Sequence, residues 1–112
     1  MLKLKKNPTL KNLQKYIEEA CKERGWNKNT HLEKFLLFTE EVGELAKAMR
    51  KSIALWHESD KYRETDEEKR RELEGEFADV LNYLLDLANH FDVDLEKAFR
   101  AKEEINKKRK WA

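Results

Sequence analysis

Hydrophobic residues recur along this chain at the spacing of three and four residues that is typical of amphipathic helices. The first such stretch lies between Thr9, a favoured N-cap residue, and Gly25, a favoured C-cap residue. A second begins at Thr30, where a glutamate three residues later completes a capping box, and it extends as far as Ile53 or Leu55. The apolar positions are Leu10, Leu13, Ile17, Ala20 and Cys21 in the first stretch, and Leu32, Phe35, Leu36, Phe38, Val42, Leu45, Ala46 and Met49 in the second.

Two further helices are predicted in the second half of the chain. Residues 65–68 form another capping box, and residues 92–94 interrupt the pattern, with Asp94 as the N-cap of the last helix. The segments 26–29 and 56–63 lack periodicity and are predicted to be a loop and a connection. The apolar positions of these two helices are Leu73, Phe77, Val80, Leu81, Leu84, Leu85, Leu87, Ala88 and Phe91, then Leu95, Ala98, Phe99 and Ile105.

The composition agrees with an all-α fold of four main helices. Charged residues make up 42% of the 112 residues, and there are only three glycines and one proline. A chain of this length is expected to form one domain, residues 1–112, with residues 1–8 loosely ordered. The formal net charge is +1, with acidic and basic residues interspersed, so we expect no nucleic acid polymer as a partner.

Cysteine content and hydropathy indicate where the protein resides. The single cysteine, Cys21, excludes an intramolecular disulfide and fits a reducing compartment. No run of residues is long or apolar enough to span a membrane, and no secretory signal follows Met1. We therefore expect a cytoplasmic protein without a membrane partner.

Acidic residues interrupt the apolar pattern at two places. Glu41 and Glu44 are three residues apart in the second helix, as are Glu76 and Asp79 in the third, so each pair lies on one helix face. Glu41 and Glu76 have apolar neighbours at helical spacing, where a carboxylate is costly unless it is protonated, paired or bound to a metal. The two pairs could form a hard-cation site for Mg²⁺ or Mn²⁺ between helices, or a solvated acidic surface. The residues alone favour solvated surface charge for three other glutamates: Glu40, Glu72 and Glu74.

Residues 40–46 and 76–84 resemble the two metal-binding helices of MazG-like nucleotide pyrophosphohydrolases, within the all-α NTP pyrophosphohydrolase superfamily. The first segment carries an EExxE pattern and the second an ExxD pattern, and the resemblance extends from about Trp26 to the C-terminus. It implies Mg²⁺-dependent cleavage of nucleoside triphosphates between the α and β phosphates, with Mn²⁺ as a possible substitute. The implied metal ligands are Glu41, Glu44, Glu76 and Asp79. The implied catalytic residues are Glu40, as an outer-shell or water-orienting residue, and Glu41. Residues 51–71 have no counterpart in the family's pattern, which leaves the substrate open.

Basic and aromatic residues add candidates for substrate binding. Lys102, Asn106 and Arg109 lie at positions i, i+4 and i+7 of the last helix, and Lys102 falls in its apolar arc. A similar Lys-x3-Asn-x2-Arg pattern contacts phosphates in the family, although a lysine near a helix end can also extend to solvent. Trp26 and Tyr83 are candidates for stacking on a base, with packing as their alternative role.

Three functions remain open at this point. The first is hydrolysis of deoxy or non-standard nucleoside triphosphates to the monophosphate and pyrophosphate, which would clean the nucleotide pool. The second stays within enzymes: a pyrophosphatase specific for dUTP or dCTP, or one for phosphoribosyl-ATP. The third is a non-catalytic helical interaction module, in which the acidic residues are only surface charge.

Assembly is the last expectation from the sequence. The apolar arc of the second helix is wider than one neighbouring helix needs, and Gly43 offers a place where another helix can approach closely. Family members form dimers or dimers of dimers. We therefore expect a homo-oligomer with two-fold symmetry, a dimer or a tetramer, that completes the helical bundle. In it, Trp26 or the stripe formed by Lys102, Asn106 and Arg109 would reach a neighbour's site.

Overall fold

The computed structural model describes residues 2–53 and 65–109. Four α-helices follow one another in these ranges: α1 (Leu10–Arg24), α2 (His31–Ser52), α3 (Asp66–His90) and α4 (Leu95–Lys108). No β-strand occurs in this part of the chain, so the prediction of an all-α fold with four main helices is confirmed. Across the same ranges, no helix has the length and hydropathy needed to cross a membrane.

Local hydrogen bonds explain where α1 begins and ends. The Thr9 hydroxyl accepts from the Asn12 backbone N–H at 3.1 Å, and the Asn12 side chain accepts from the Thr9 N–H at 3.0 Å. At the other end Gly25 takes φ 76°, a left-handed conformation that is easy only for glycine, and its N–H donates to the carbonyls of Cys21 and Lys22. Both predicted caps of the first helix are therefore observed.

The next segment differs from its prediction. Residues 26–29 were predicted to be a loop, but Trp26–Lys28 form a 3₁₀ helix. The reason is the left-handed turn at Gly25, after which the chain makes one tight turn before the extended residue Asn29. Periodicity does not reveal a three-residue turn, because it contains no repeat to detect.

The starts of the other helices follow the predicted capping patterns. Thr30 and Glu33 cap each other at the start of α2. The Thr65 hydroxyl accepts from the Glu68 N–H at 3.1 Å at the start of α3, and the Asp94 carboxylate accepts from the Lys97 N–H at 3.1 Å at the start of α4.

The end of α2 is only partly comparable with its prediction. The helix ends at Ser52, with Ile53 as its C-cap. Leu55 and the predicted connection 56–63 lie outside the described residues.

The described residues form two compact units, and α3 contributes to both. The first unit contains residues 2–29 and those from Leu85 onward, and within it α1 packs against α4. The second unit runs from Thr30 to Leu84 and contains α2 and most of α3.

A buried glutamine organises the first unit. Gln14 on α1 donates from its side-chain amide to the Asn89 side-chain oxygen at 3.1 Å and to the Val93 carbonyl at 2.8 Å. Its amide oxygen accepts from the Leu95 N–H at 2.9 Å, and Asn89 donates to the Gln14 carbonyl at 2.7 Å. These bonds satisfy the Val93 carbonyl and the Leu95 N–H in the turn between α3 and α4 and attach that turn to α1.

In the second unit, the two faces of α2 differ from what its hydrophobic pattern suggests. The face that carries Lys34, Ala48 and Lys51 is buried, and Glu41 lies half-buried on the same face. The opposite face is exposed although it is apolar, and nothing in the described residues approaches the position of a Gly43 Cβ within 4 Å. The exposed side chains on this face are Leu32, Phe35, Leu36, Val42, Met49 and Ile53.

Candidate metal centre

Three carboxylates converge in the second unit. Glu41 from α2 meets Glu76 and Asp79 from α3, and one oxygen of each lies within 4.8 Å of the others. Glu76 and Asp79 are three residues apart on α3, so the helix places both side chains on the face that meets Glu41. Glu41 and Glu76 are half-buried and Asp79 is exposed, so the cluster is partly open to solvent.

The environment of these carboxylates disfavours their charged forms. Burial raises the pKa of Glu41 above its ordinary value of 4.5, and the negative charges of Asp79, Glu76, Glu40 and Glu44 raise it further. Burial is also the largest cause of the raised pKa of Glu76, followed by the charges of Asp79, Glu44 and Glu72.

One contribution acts in the opposite direction on Glu76. Side-chain hydrogen bonding with Glu41 lowers the pKa of Glu76, but it is the smallest of the causes, so the net direction remains upward.

One carboxylate oxygen of Glu76 lacks a hydrogen-bond partner among the described residues. This oxygen, Oε2, is buried. A buried carboxylate oxygen without a partner is costly, and a cation at this position would satisfy it. The donor set consists of oxygen atoms alone, which is the set that hard divalent cations such as Mg²⁺ and Mn²⁺ prefer. These residues therefore fit such an ion.

The other predicted acidic residues lie around this cluster. Glu44, predicted as a ligand, is exposed and is not part of the group within 4.8 Å, but its charge raises the pKa of both Glu41 and Glu76. Glu40, predicted as catalytic, is also exposed, and its charge contributes to the raised pKa of Glu41.

The predicted substrate-binding residues are divided between the units. Tyr83 is half-buried and lies one helical turn after Asp79 in the second unit. Trp26 belongs to the first unit, is 53% exposed, and has the Arg24 guanidinium 5.1 Å from its ring centroid. A ring in this position offers one face to a cation.

The predicted basic stripe also belongs to the first unit, and its geometry differs from the prediction. Lys102 is exposed and Asn106 half-buried, and both lie on α4. Arg109 is the first residue after α4, with φ −82° and ψ 145°. Its extended backbone removes it from the helical stripe, although its N–H donates to the Asn106 carbonyl at 3.2 Å.

Sequence reasoning missed one residue pair close to the cluster. Glu72 was interpreted as solvated surface charge, but it is half-buried and forms an ion pair with the buried Lys51. Two signals could have indicated this. Glu72 is four residues before Glu76 on α3, and Lys51 falls on the same face of α2 as Ala48 and Glu41.

Comparisons with known proteins identify a family and a relative. The family model of the MazG nucleotide pyrophosphohydrolase domain matches residues 29–111, which is more than half of the chain and includes all three carboxylates. The uncharacterized protein YvdC of Bacillus subtilis (strain 168) is 30% identical over 100 residues, which cover 89% of this chain and 94% of that protein.

The raised pKa values predict how the stability of the metal-free protein depends on pH. Between 4.5 and the raised pKa values, the folded chain binds more protons at Glu41 and Glu76 than the unfolded chain does. These two groups therefore contribute their full stabilisation of the folded protein below pH 4.5, and this contribution is lost as the pH rises through the raised pKa values. Glu41→Gln removes the charge, and we expect it to stabilise the protein at pH 8 by roughly 0.2–0.5 kcal/mol per like-charge helical neighbour.

Urea denaturation in EDTA at pH 8 and pH 4 measures this effect. The advantage of Glu41→Gln should be present at the higher pH and absent at the lower one. Glu23→Gln, which changes an exposed glutamate of α1, is the control and should show no such difference. A Glu41→Gln protein that is less stable than the wild type at pH 8 would show that the cluster is not repulsive.

Proposed function

Because the chain belongs to the MazG nucleotide pyrophosphohydrolase domain family, we propose that it hydrolyses (deoxy)nucleoside triphosphates to the monophosphate and pyrophosphate, in an Mg²⁺-dependent reaction that cleans the nucleotide pool. The observation that carries this proposal is the convergence of Glu41, Glu76 and Asp79 within 4.8 Å, with a buried oxygen of Glu76 that lacks a hydrogen-bond partner among the described residues. A helical module without catalytic activity would have no need to retain this repulsion.

In this proposal the acidic residues hold the cation. Glu41, Glu76 and Asp79 are its ligands, and Glu44 joins them as predicted or adds negative charge beside them. Bound Mg²⁺ would neutralise phosphate charge and lower the pKa of a coordinated water. Glu40 lies next to Glu41 in the chain and is exposed, so its carboxylate is available to orient the attacking water and accept its proton.

The substrate contacts in the proposal come from the family's pattern. Tyr83 is assigned to the base, since it follows Asp79 by one helical turn and its ring is partly accessible. Trp26 is a second candidate for stacking on the base. Lys102, Asn106 and Arg109 are assigned to the phosphates, where lysine and arginine donate charge-assisted hydrogen bonds.

We also propose that the protein acts as a homo-oligomer. The exposed apolar face of α2 includes Phe35 at 54% and Leu36 at 62% exposure, and on α3 Phe77 is 55% exposed. On α2 these side chains share one helix face, and soluble monomers rarely leave such an apolar face in water; a second copy of the chain would cover it. The open space beside Gly43 would allow close approach of that copy.

The activity is tested by incubating the purified protein with Mg²⁺ and a panel of nucleotides that includes dUTP, dCTP, non-standard triphosphates and phosphoribosyl-ATP, and by measuring monophosphate release. We expect turnover that EDTA abolishes. Glu41→Gln and Asp79→Asn should each lower it by roughly 100-fold or more, because even residues that only support metal ligands contribute 10–100-fold. Their metal-free melting temperatures should not fall, since each substitution removes repulsion.

Glu23→Gln serves as the control and should retain wild-type turnover. Absence of turnover on every nucleotide, at protein concentrations comparable to the substrate, would overturn the proposed function. Full activity of Glu41→Gln or Asp79→Asn would overturn the assignment of the site.

The assembly is tested by light scattering at micromolar concentration. We expect a mass of at least twice the 13.5 kDa of one chain. Leu36→Glu places a charge in the exposed apolar face of α2 and should shift the protein toward one chain, whereas Glu23→Lys on α1 should not. A wild-type mass of one chain would contradict the proposed oligomer.

A further inference from the structure

A buried ion pair connects α2 and α3 within the second unit. Lys51, in the last turn of α2, donates from Nζ to both carboxylate oxygens of Glu72, at 2.9 Å and 3.2 Å. The Lys51 side chain is only 7% exposed and that of Glu72 is 35% exposed. A different ion pair of this unit, between Arg70 and Glu74, lies within α3, is 4.0 Å long and is highly exposed.

A lysine at this depth requires its partner. Transfer of an ammonium group out of water is costly unless a counter-charge and hydrogen bonds compensate it, and here both Glu72 oxygens accept from the same Nζ. The contact is therefore directional, and it joins the end of α2 to Glu72 of α3. The Arg70–Glu74 pair has no comparable effect, because exposed pairs contribute little and this one joins residues of a single helix.

Glu72 belongs to the same helix face as the candidate ligands. It precedes Glu76 by four residues and Asp79 by seven, so the three carboxylates form one stripe along α3. Its charge reaches the site, since it is one of the causes of the raised pKa of Glu76. Lys51 engages both oxygens of the one member of this stripe that is not part of the cluster.

The Lys51–Glu72 ion pair and the carboxylate cluster join α2 and α3 at different positions along the helix axes. Lys51 follows Glu41 by ten residues on α2, a distance of about 15 Å along the helix axis. Without a cation, the contact of Glu41 with Glu76 and Asp79 is repulsive, whereas the contact of Lys51 with Glu72 is attractive. The register that brings Glu41 opposite Glu76 must therefore be maintained by attractive contacts elsewhere between the two helices. The Lys51–Glu72 ion pair is such a contact, because it is directional and Glu72 lies one helical turn before Glu76.

We propose that Lys51 is a positioning residue for the metal centre. Lys51 holds Glu72 and thereby fixes the register of α2 and α3, and this register brings Glu41, Glu76 and Asp79 together. The inference rests on the proposed function, since it concerns the same cation site. It assigns a role to a residue in the segment that the family's pattern does not explain. Lys51 itself does not touch the cation.

The experiment measures Mn²⁺ affinity by electron paramagnetic resonance in the full-length protein without nucleotide. Lys51→Met is compared with the wild type, with Lys51→Arg, which keeps the pairing, and with Arg70→Met, which removes the exposed pair one turn away. Simple electrostatics predicts that loss of a nearby positive charge tightens Mn²⁺ binding. Loss of register predicts the opposite, a weakening of about tenfold or more.

We expect Lys51→Met to weaken Mn²⁺ binding about tenfold, with Lys51→Arg and Arg70→Met close to the wild type. Equal or tighter binding by Lys51→Met, even with a lower melting temperature, would overturn the positioning role. If Lys51→Met does not fold, Lys51→Gln replaces it, with the same expected weakening and the same contrary result. Absence of Mn²⁺ binding by the wild type would instead overturn the metal centre of the proposed function, and this inference with it.

Discussion

The close approach of three carboxylates on two helices is the constraint on which the second unit depends. Glu41, Glu76 and Asp79 lie within 4.8 Å of one another, and their burial and mutual repulsion raise the pKa values of two of them. Glu76 Oε2 is buried and has no hydrogen-bond partner among the described residues. A divalent cation would neutralise the repulsion and also satisfy this oxygen, because it accepts several oxygen ligands at once. The arrangement is costly for folding and useful for binding a cation, which is the balance expected of a functional site.

The helices accommodate this constraint by placing polar residues where a helical bundle would ordinarily place apolar ones. The buried face of α2 carries Lys34, Ala48 and Lys51 beside the half-buried Glu41, whereas the opposite, apolar face is exposed in the single chain. The two faces of α2 thus have different roles. Its polar face meets α3 and forms the site, and its apolar face is available to the proposed second copy of the chain. The first unit shows a related solution, since Gln14 satisfies the polar groups of the turn after α3 with its buried side chain.

The order and bounds of the helices could be predicted because their signals are local. Thr9, Gly25 and Asp94 act as caps through hydrogen bonds and backbone angles that depend on only a few neighbouring residues. The convergence of Glu41 with Glu76 and Asp79 was suggested by spacing, by the interruption of the apolar pattern at Glu41 and Glu76, and by resemblance. Two features required tertiary information: the pairing of Lys51 with Glu72 across helices, and the position of Arg109 beyond the end of α4. A hydrophobic pattern also does not state whether an apolar face is covered by the same chain, which is why the exposed face of α2 could not be assigned from periodicity alone.

The central claim is that the carboxylate cluster is a cation site, and anomalous scattering from crystals grown with Mn²⁺ tests it most directly. We expect a peak about 2 Å from carboxylate oxygens of Glu41, Glu76 and Asp79. Glu76 Oε2 should be among the ligands. An ion bound elsewhere in the chain, or a cluster that holds no ion in saturating Mn²⁺, would contradict the claim.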